Sequence, residues 1–380
     1  MSEALRNFQL FLVEEAAKSS PLYTALTTLV SRDLEDGGPI GGVLTAAPER
    51  QRIPNLLFAA VHRALFDEPD SELAAYYPSL GGTRPPDAAL AQTFTRFVLE
   101  HRQRIEHVLA TGETQTNEAL RAAQLFPAFG WAQACTRRPL GLIEVGASAG
   151  LLLHADRYAY VYEFEDGSEL TAGEGSADGV PALHTAVRGP ADAAAKALAP
   201  FVTKNLRIAS RVGLDINPLD PADPDARAWL DALIWPEHVE RRERLRGALA
   251  HAARRPVRLR KGDALRTLPD AVDGVADNAI PCVFTSNSLG HWTREGRAGF
   301  VELIRRLGAQ RDLVCIVKDA YHVGLGLFTG KPDEPADGAP GSHYEVLGAA
   351  VFLGGREQLF RLGSCELHGV GLTWSPKPVG

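Results

Sequence analysis

Glu144, Asp215 and Asp263 each follow a short β-rich run, and Glu144 stands two positions before the small-residue turn Gly146-Ala147-Ser148-Ala149-Gly150. Carboxylates pair well with vicinal hydroxyls, and glycine lets a backbone bend and approach a ligand closely. Taken in order, these residues describe a pocket for S-adenosylmethionine. Glu144, Gly146, Ala147, Ser148 and Gly150 line the first strand end, Asp215 with Ile216 meets the ribose, and Asp263 with Ala264 faces the adenine. Each acid also has a plainer role: Glu144 supports the turn, Asp215 caps the turn next to it, and Asp263 caps Ala264 to Leu268. Glu163 and Glu165 compete for the ribose, but the alternation around Asp166-Gly167 puts them on a hairpin.

The same turn is open to other chemistries. As G-x-G-x-x-G it fails, because Ser148 occupies the middle glycine position and no third glycine follows at the required spacing. As G-x-S-x-G it matches a nucleophile elbow, with Ser148 as a hydrolase nucleophile and His343 or His368 as its partner. That fold places strands and an oxyanion-hole segment before its elbow, whereas the residues before Leu140 read as helical. A ligand-binding protein without turnover is a third possibility.

If the pocket holds S-adenosylmethionine, the loop after the fourth strand lies beside the methyl group. This nominates Ser286 on the cofactor side and Asn287 and His291 as catalytic. Asn287 orients an acceptor and His291 takes its proton, with His322 and His368 as other candidate bases. Gln115, Thr116, Asn117 and Glu118 open a helical run with polar side chains where a core helix would be apolar. They form either a capping box or a cover over the cofactor, in which Gln115 or Asn117 bonds the methionine end and Tyr23 lines the same cover. No H-E-x-x-H motif occurs, and no metal is expected.

The elements that must position these residues change character along the chain. From Ala4 to Ala17, Pro54 to Leu65 and Ala88 to Leu109 apolar residues recur at three- and four-residue spacing, so residues 1–130 read as an all-helical cap domain. From 131 to 380 the runs LGLIEV, RVGLDI, PVRLRKGDA, IPCVFTSNS and DLVCIVKDA alternate with helical stretches, which implies an α/β domain with a mostly parallel sheet. HYEVLGAAVFLGG and QLFRLGSCELHGVGLTW read as an antiparallel pair closing that sheet. Two insertions interrupt it. Tyr158 to Leu170 reads as a β-hairpin outside the central sheet, in an insertion reaching about residue 190, and 328–343 reads as a flexible loop or lid rich in Pro, Gly and acidic residues.

Composition narrows the partners. A net charge of -7 over 380 residues leaves no global positive field for DNA or an anionic membrane. Between Arg241 and Lys261 nine basic residues face one acid, Glu243, which reads as a solvated helix before a strand ahead of a docking strip for RNA. Four widely spaced cysteines, Cys135, Cys282, Cys315 and Cys365, read as buried thiols in a reducing cytosol. No targeting segment or membrane-length apolar run is apparent, and a cytoplasmic location is expected.

Ser20-Pro21-Leu22-Tyr23, Gln115 to Glu118, Glu144 to Leu151, Asp156-Arg157-Tyr158, Asp215 to Asp220, Trp235-Pro236, Asp263-Ala264, His368-Gly369 and Trp374 together resemble an uncharacterised bacterial family, domain of unknown function 2332. The resemblance covers almost the whole chain. It departs from the family pattern at Leu152, where Asn is usual, and across Thr285 to Trp292. The family is similar to the methyltransferase superfamily, which implies a Rossmann-like methyltransferase sheet with an added helical amino-terminal region. The expected function is methylation of a small-molecule acceptor with S-adenosylmethionine as cofactor. A serine hydrolase using Ser148, or a non-catalytic S-adenosylmethionine-binding protein, is the alternative.

Overall fold

The computed structural model describes residues 2–173, 179–202, 205–332 and 344–379. It is an α/β structure whose 11 strands form one mixed, mostly parallel sheet. In chain order these are β1 (Leu140–Val145), β2 (Ala159–Phe164), β3 (Glu169–Gly173), β4 (Leu183–Val187), β5 (Ile208–Asp215) and β6 (Arg258–Lys261). They continue with β7 (Ile280–Ser286), β8 (Leu313–Asp319), β9 (Tyr344–Leu353), β10 (Arg356–Glu366) and β11 (Gly371–Val379). The spatial order is β3-β2-β4-β11-β10-β9-β8-β7-β1-β5-β6.

The chain divides into two compact units, Met1–Thr116 with Asp223–Arg246, and Asn117–Ala222 with Gly247–Gly380. The boundary expected at residue 130 therefore differs from the observed division. Helix Ala122–Thr136 belongs to the sheet unit because it is apolar nearly all round and buries its length there. Its Phe129 ring meets Phe284 of β7 at 5.1 Å, and Gln124 donates to the carbonyls of Glu366 and Gly371 at 2.9 and 2.7 Å. Asp223–Arg246, for its part, joins the helices of the first unit.

In the sheet unit, β1 lies between β5 and β7 and runs parallel to both. The strand order reverses there, which makes the carboxyl ends of β1 and β7 a topological switch point. One sheet face is apolar: Ile143, Val145, Leu214, Val283, Val317 and Val346 pack with residues of helices Ala264–Asp273 and Arg294–Gln310.

The small-residue turn leads into a 3-10 helix of 7 residues, Leu151–Arg157, that starts behind Gly150 at φ 69°. Several expectations are corrected. The hairpin of β2 and β3 does form, but it is part of the central sheet, because β2 pairs with β4 and β4 with β11. The carboxyl-terminal pair is three strands. Gly354 and Gly355, at φ 57° and 74°, make a two-residue turn between β9 and β10, and left-handed His368 and Gly369 break the second run into β10 and β11. Cys135 is exposed, while the other three cysteines are buried. The segment 333–343 of the expected lid lies outside the described residues.

Among its described residues the first unit contains only helices. Its core is built around Phe58, whose ring lies 4.7 Å from Tyr23 and 6.4 Å from Phe94. Of the nine residues in the basic run only Arg242 is buried, and the others are exposed or half-buried, as expected of a solvated helix. Arg242 holds the buried Asp231 carboxylate through two bonds of 2.6 and 3.0 Å, and Arg246 adds a third of 2.7 Å. His62 is buried beside them, with Nδ1 3.0 Å from the Ala232 carbonyl and Nε2 2.7 Å from Ser79 Oγ. A carbonyl only accepts, so Nδ1 carries the proton and Nε2 accepts from the hydroxyl.

Burial and then the Arg242 guanidinium push His62 down to about 4, against the raising effects of the Ala232 carbonyl and Asp231. Between that value and the ordinary 6.5 the unfolded chain binds more protons than the folded one. The contribution is therefore complete above pH 6.5 and lost as pH falls towards 4, at a cost of about 3 kcal/mol. Urea midpoints measured between pH 7.5 and 4.5 should fall more steeply for wild type than for His62→Gln; equal slopes would contradict a neutral His62.

Candidate functional site

Register places a line of polar side chains along the carboxyl edge of the sheet. Glu144 lies opposite Gly213 and Phe284, Ser286 opposite Lys318, Lys318 opposite Leu347, and Glu345 opposite Cys365. Side chains two residues apart on a strand share a face, so Asp215, Glu144, Ser286, Lys318 and Glu345 stand on one face of the sheet. This is the face on which Phe129 packs against Phe284, opposite the apolar face.

At the head of this row, the turn after β1 is closed by its own protein. Gly146 and Ala147 N–H donate to the Leu214 carbonyl at 2.9 and 3.2 Å, and Gly150 N–H to Ala147 at 2.7 Å. Ser148 N–H donates to Asp215 Oδ2 at 2.7 Å, and Ala149 N–H to Asn117 Oδ1 at 3.3 Å. Asn117 also donates through Nδ2 to Ser148 Oγ at 2.7 Å. Every backbone N–H from Gly146 to Gly150 is therefore committed within the protein, and a short 3-10 helix follows the turn. Gly146 is required for space as well as for its φ of 79°, since a Cβ there would lie 2.3 Å from Ser288 Oγ. The loop after β7 therefore sits directly on the turn after β1.

Asp215 takes a second N–H, from Asn217, on Oδ1 at 2.7 Å. Each oxygen keeps a lone pair, so the carboxylate holds the turn and can still accept from a ligand. Ile216 next to it is 67% exposed. Asp263 caps helix Ala264–Asp273 by accepting from Leu265 N–H at 2.9 Å, and Ala264 is buried. Glu144 is buried, with Oε2 unpaired among the described residues. Burial raises its carboxyl well above the usual range, the Asp215 charge adds to this, and Arg121 opposes it.

The other predicted residues divide. Asn117 is drawn to the turn, where it fastens Ser148 and Ala149. Glu118 accepts from Leu120 N–H at 3.1 Å and caps the 3-10 turn Ala119–Arg121, so the helical run opens later than expected. Tyr23 is a core ring of the first unit, packed against Phe58 and, at 5.4 Å, Trp235. Gln115 is half-buried and belongs to that unit too. His291 is exposed in a 3-10 turn after β7, His322 is exposed after β8, and His343 lies outside the described residues. Ser148 has the positive φ of an elbow, at 47°, yet no strand precedes Leu140 among the described residues.

Lys318 and Glu345 were missed by sequence reading. Lys318 lies at the end of an apolar run that looks complete without it, and nothing local pairs it with a residue 27 positions later. In the fold Lys318 Nζ donates to Glu345 Oε2 and, at 3.0 Å, to Asn287 Oδ1. Asn287 is left-handed at φ 56° and is anchored twice, since its own N–H donates to the Lys318 carbonyl at 2.9 Å. Ser286 Oγ also points to Oδ1, at 3.3 Å. Donors therefore occupy the amide oxygen, and Asn287 offers Nδ2 to anything beyond it. Lys318→Met should strand the buried Glu345 and cost roughly 3–5 kcal/mol, whereas Lys318→Met with Glu345→Leu should recover much of that loss. Chemical denaturation of the wild type and these variants measures the coupling; an additive double mutant would deny it.

No curated protein and no solved structure matches this sequence. One family matches, described as an uncharacterized protein conserved in bacteria, and it spans residues 6–374. That span includes the turn, all the strand ends of the polar row and the Asn287 loop, so the chain belongs to the DUF2332 family.

Proposed function

We propose that this chain is an S-adenosylmethionine-dependent methyltransferase acting on a small-molecule acceptor. The observation that carries the proposal is the pair Asp215 and Ile216 at the carboxyl end of β5, beside the switch point. A carboxylate with lone pairs to spare suits the ribose hydroxyls. An aliphatic side chain left 67% exposed next to it supplies an apolar surface for the adenine. Asp263, which uses one oxygen as a helix cap, stands at the exit of the neighbouring strand β6 for the adenine amino group.

When bound, the cofactor supplies an electrophilic methyl group, and the protein's work is alignment of the acceptor and exclusion of water. Asn287, its oxygen held by Lys318, orients the acceptor by donating from Nδ2. His291, on the same loop, is the candidate base for an acceptor that must lose a proton. The serine-hydrolase reading has the backbone of Ser148 in its favour. Against it, no strand precedes Leu140 among the described residues, where that fold places several before its elbow.

Calorimetric titration with S-adenosylmethionine and S-adenosylhomocysteine should give micromolar binding. Asp215→Ala should weaken it by about 1.5–3 kcal/mol. Because Asp215 also holds the turn, Ile216→Ser is the sharper variant: it should lower affinity several-fold with an unchanged melting temperature. No binding by folded wild-type protein, together with labelling of Ser148 by a fluorophosphonate, would replace this function with a hydrolase.

A further inference from the structure

Glu144 has a property that the proposed function does not by itself require. Its side chain is buried at 3% exposure in the middle of the polar row, and Oε2 has no hydrogen-bond partner among the described residues. Charged and titratable groups face it from each side. Asp215 approaches from β5, Arg121 from the 3-10 turn Ala119–Arg121, and Tyr158 from the residue before β2. The Tyr158 hydroxyl is committed to the Leu151 carbonyl at 2.8 Å and is not a donor to Glu144. Asp215 is negative and next to it in the same row. A second bare carboxylate there would be desolvated, and set against a like charge. Arg121 acts against both effects without outweighing them.

The backbone of the turn has no N–H to spare. The backbone N–H groups from Gly146 to Gly150 all have acceptors within the protein. We infer that Glu144 stands in the row as a neutral acid and that its O–H is a hydrogen-bond donor beside Asp215, to an acceptor atom of the bound ligand. Asp215 and Glu144, two acids by sequence, thereby become an acceptor and a donor side by side. Such a pair selects a ligand with hydroxyl donors at one point and an anionic or carbonyl oxygen at another. S-Adenosylhomocysteine carries both, on its ribose and its amino-acid carboxylate, and in naming this ligand the inference rests on the proposed function.

Infrared spectroscopy of ligand-free protein at pH 8 tests the protonation without any ligand. The difference between wild type and Glu144→Gln should contain the carbonyl stretch of a protonated carboxyl; absence of that band overturns the inference. Titration with S-adenosylhomocysteine then tests the donor. Glu144→Gln, which keeps a donor and no charge, should bind within about threefold of wild type, while Glu144→Leu, checked for folding by circular dichroism, should lose tenfold or more. Loss in Glu144→Gln as large as in Glu144→Leu, or no loss in either, overturns the donor role. Wild-type protein that binds no S-adenosylhomocysteine refutes the proposed function and with it the ligand contact, and the infrared band is unaffected by that outcome.

Discussion

The carboxylate of Asp215 ties together chain segments that have no reason to meet in sequence. Through Ser148 N–H it fixes the turn after β1, and through Asn217 N–H it fixes the loop after β5. Its own carbonyl accepts from Gly262 at 2.8 Å at the exit of β6, and the Ser148 carbonyl accepts in turn from Leu219 N–H at 3.2 Å. Bonds from N–H groups to a carboxylate are stronger than those between neutral groups, and here they hold Ser148 at a positive φ that a non-glycine residue resists. The residue proposed to hold a ribose is thus also the one that gives the turn its shape.

The two faces of the sheet divide the labour of stability and function. On one, aliphatic side chains of the central strands pack under two amphipathic helices, and the sheet's large apolar burial is concentrated there. The other carries acids, an amide and a lysine at its carboxyl edge, groups that are costly to bury unless each finds a partner. Lys318, Glu345 and Asn287 meet that cost among themselves. Glu144 meets it by giving up its charge. A row assembled in this way is poor material for a core, and its position at the strand-order reversal is where open α/β sheets place ligands.

The first unit uses buried polar groups differently. Asp231 lies in a fork of two arginines, and His62 is held neutral between a carbonyl and a hydroxyl. These contacts are saturated and closed. They pair both oxygens of Asp231 and both ring nitrogens of His62, and they fix how helices meet. No helix among the described residues is long and apolar enough to cross a membrane.

Local sequence was sufficient for what depends on near neighbours. Leu140–Val145 and Ile280–Ser286 are strands because they are unbroken apolar runs bounded by turn formers, and Pro54–Leu65 is a helix because its apolar residues recur at helical spacing behind a proline. The order of acid, small-residue turn and acid at successive strand ends was legible for the same reason. Local pattern could not say that Leu151–Arg157 would tighten into a 3-10 helix, that Asn117 would spend its amide on the turn, or that Tyr23 would become a core ring. Nor could it pair Lys318 with Glu345, because a lysine ending an apolar strand looks solvated until the register of β8 and β9 puts a carboxylate over it. The sequence by itself determined which residues can ionise and which segments extend or coil. Only the tertiary structure decided which charges are buried together, because burial and distance set whether an acid stays ionised, caps a helix or gives a proton to its neighbour.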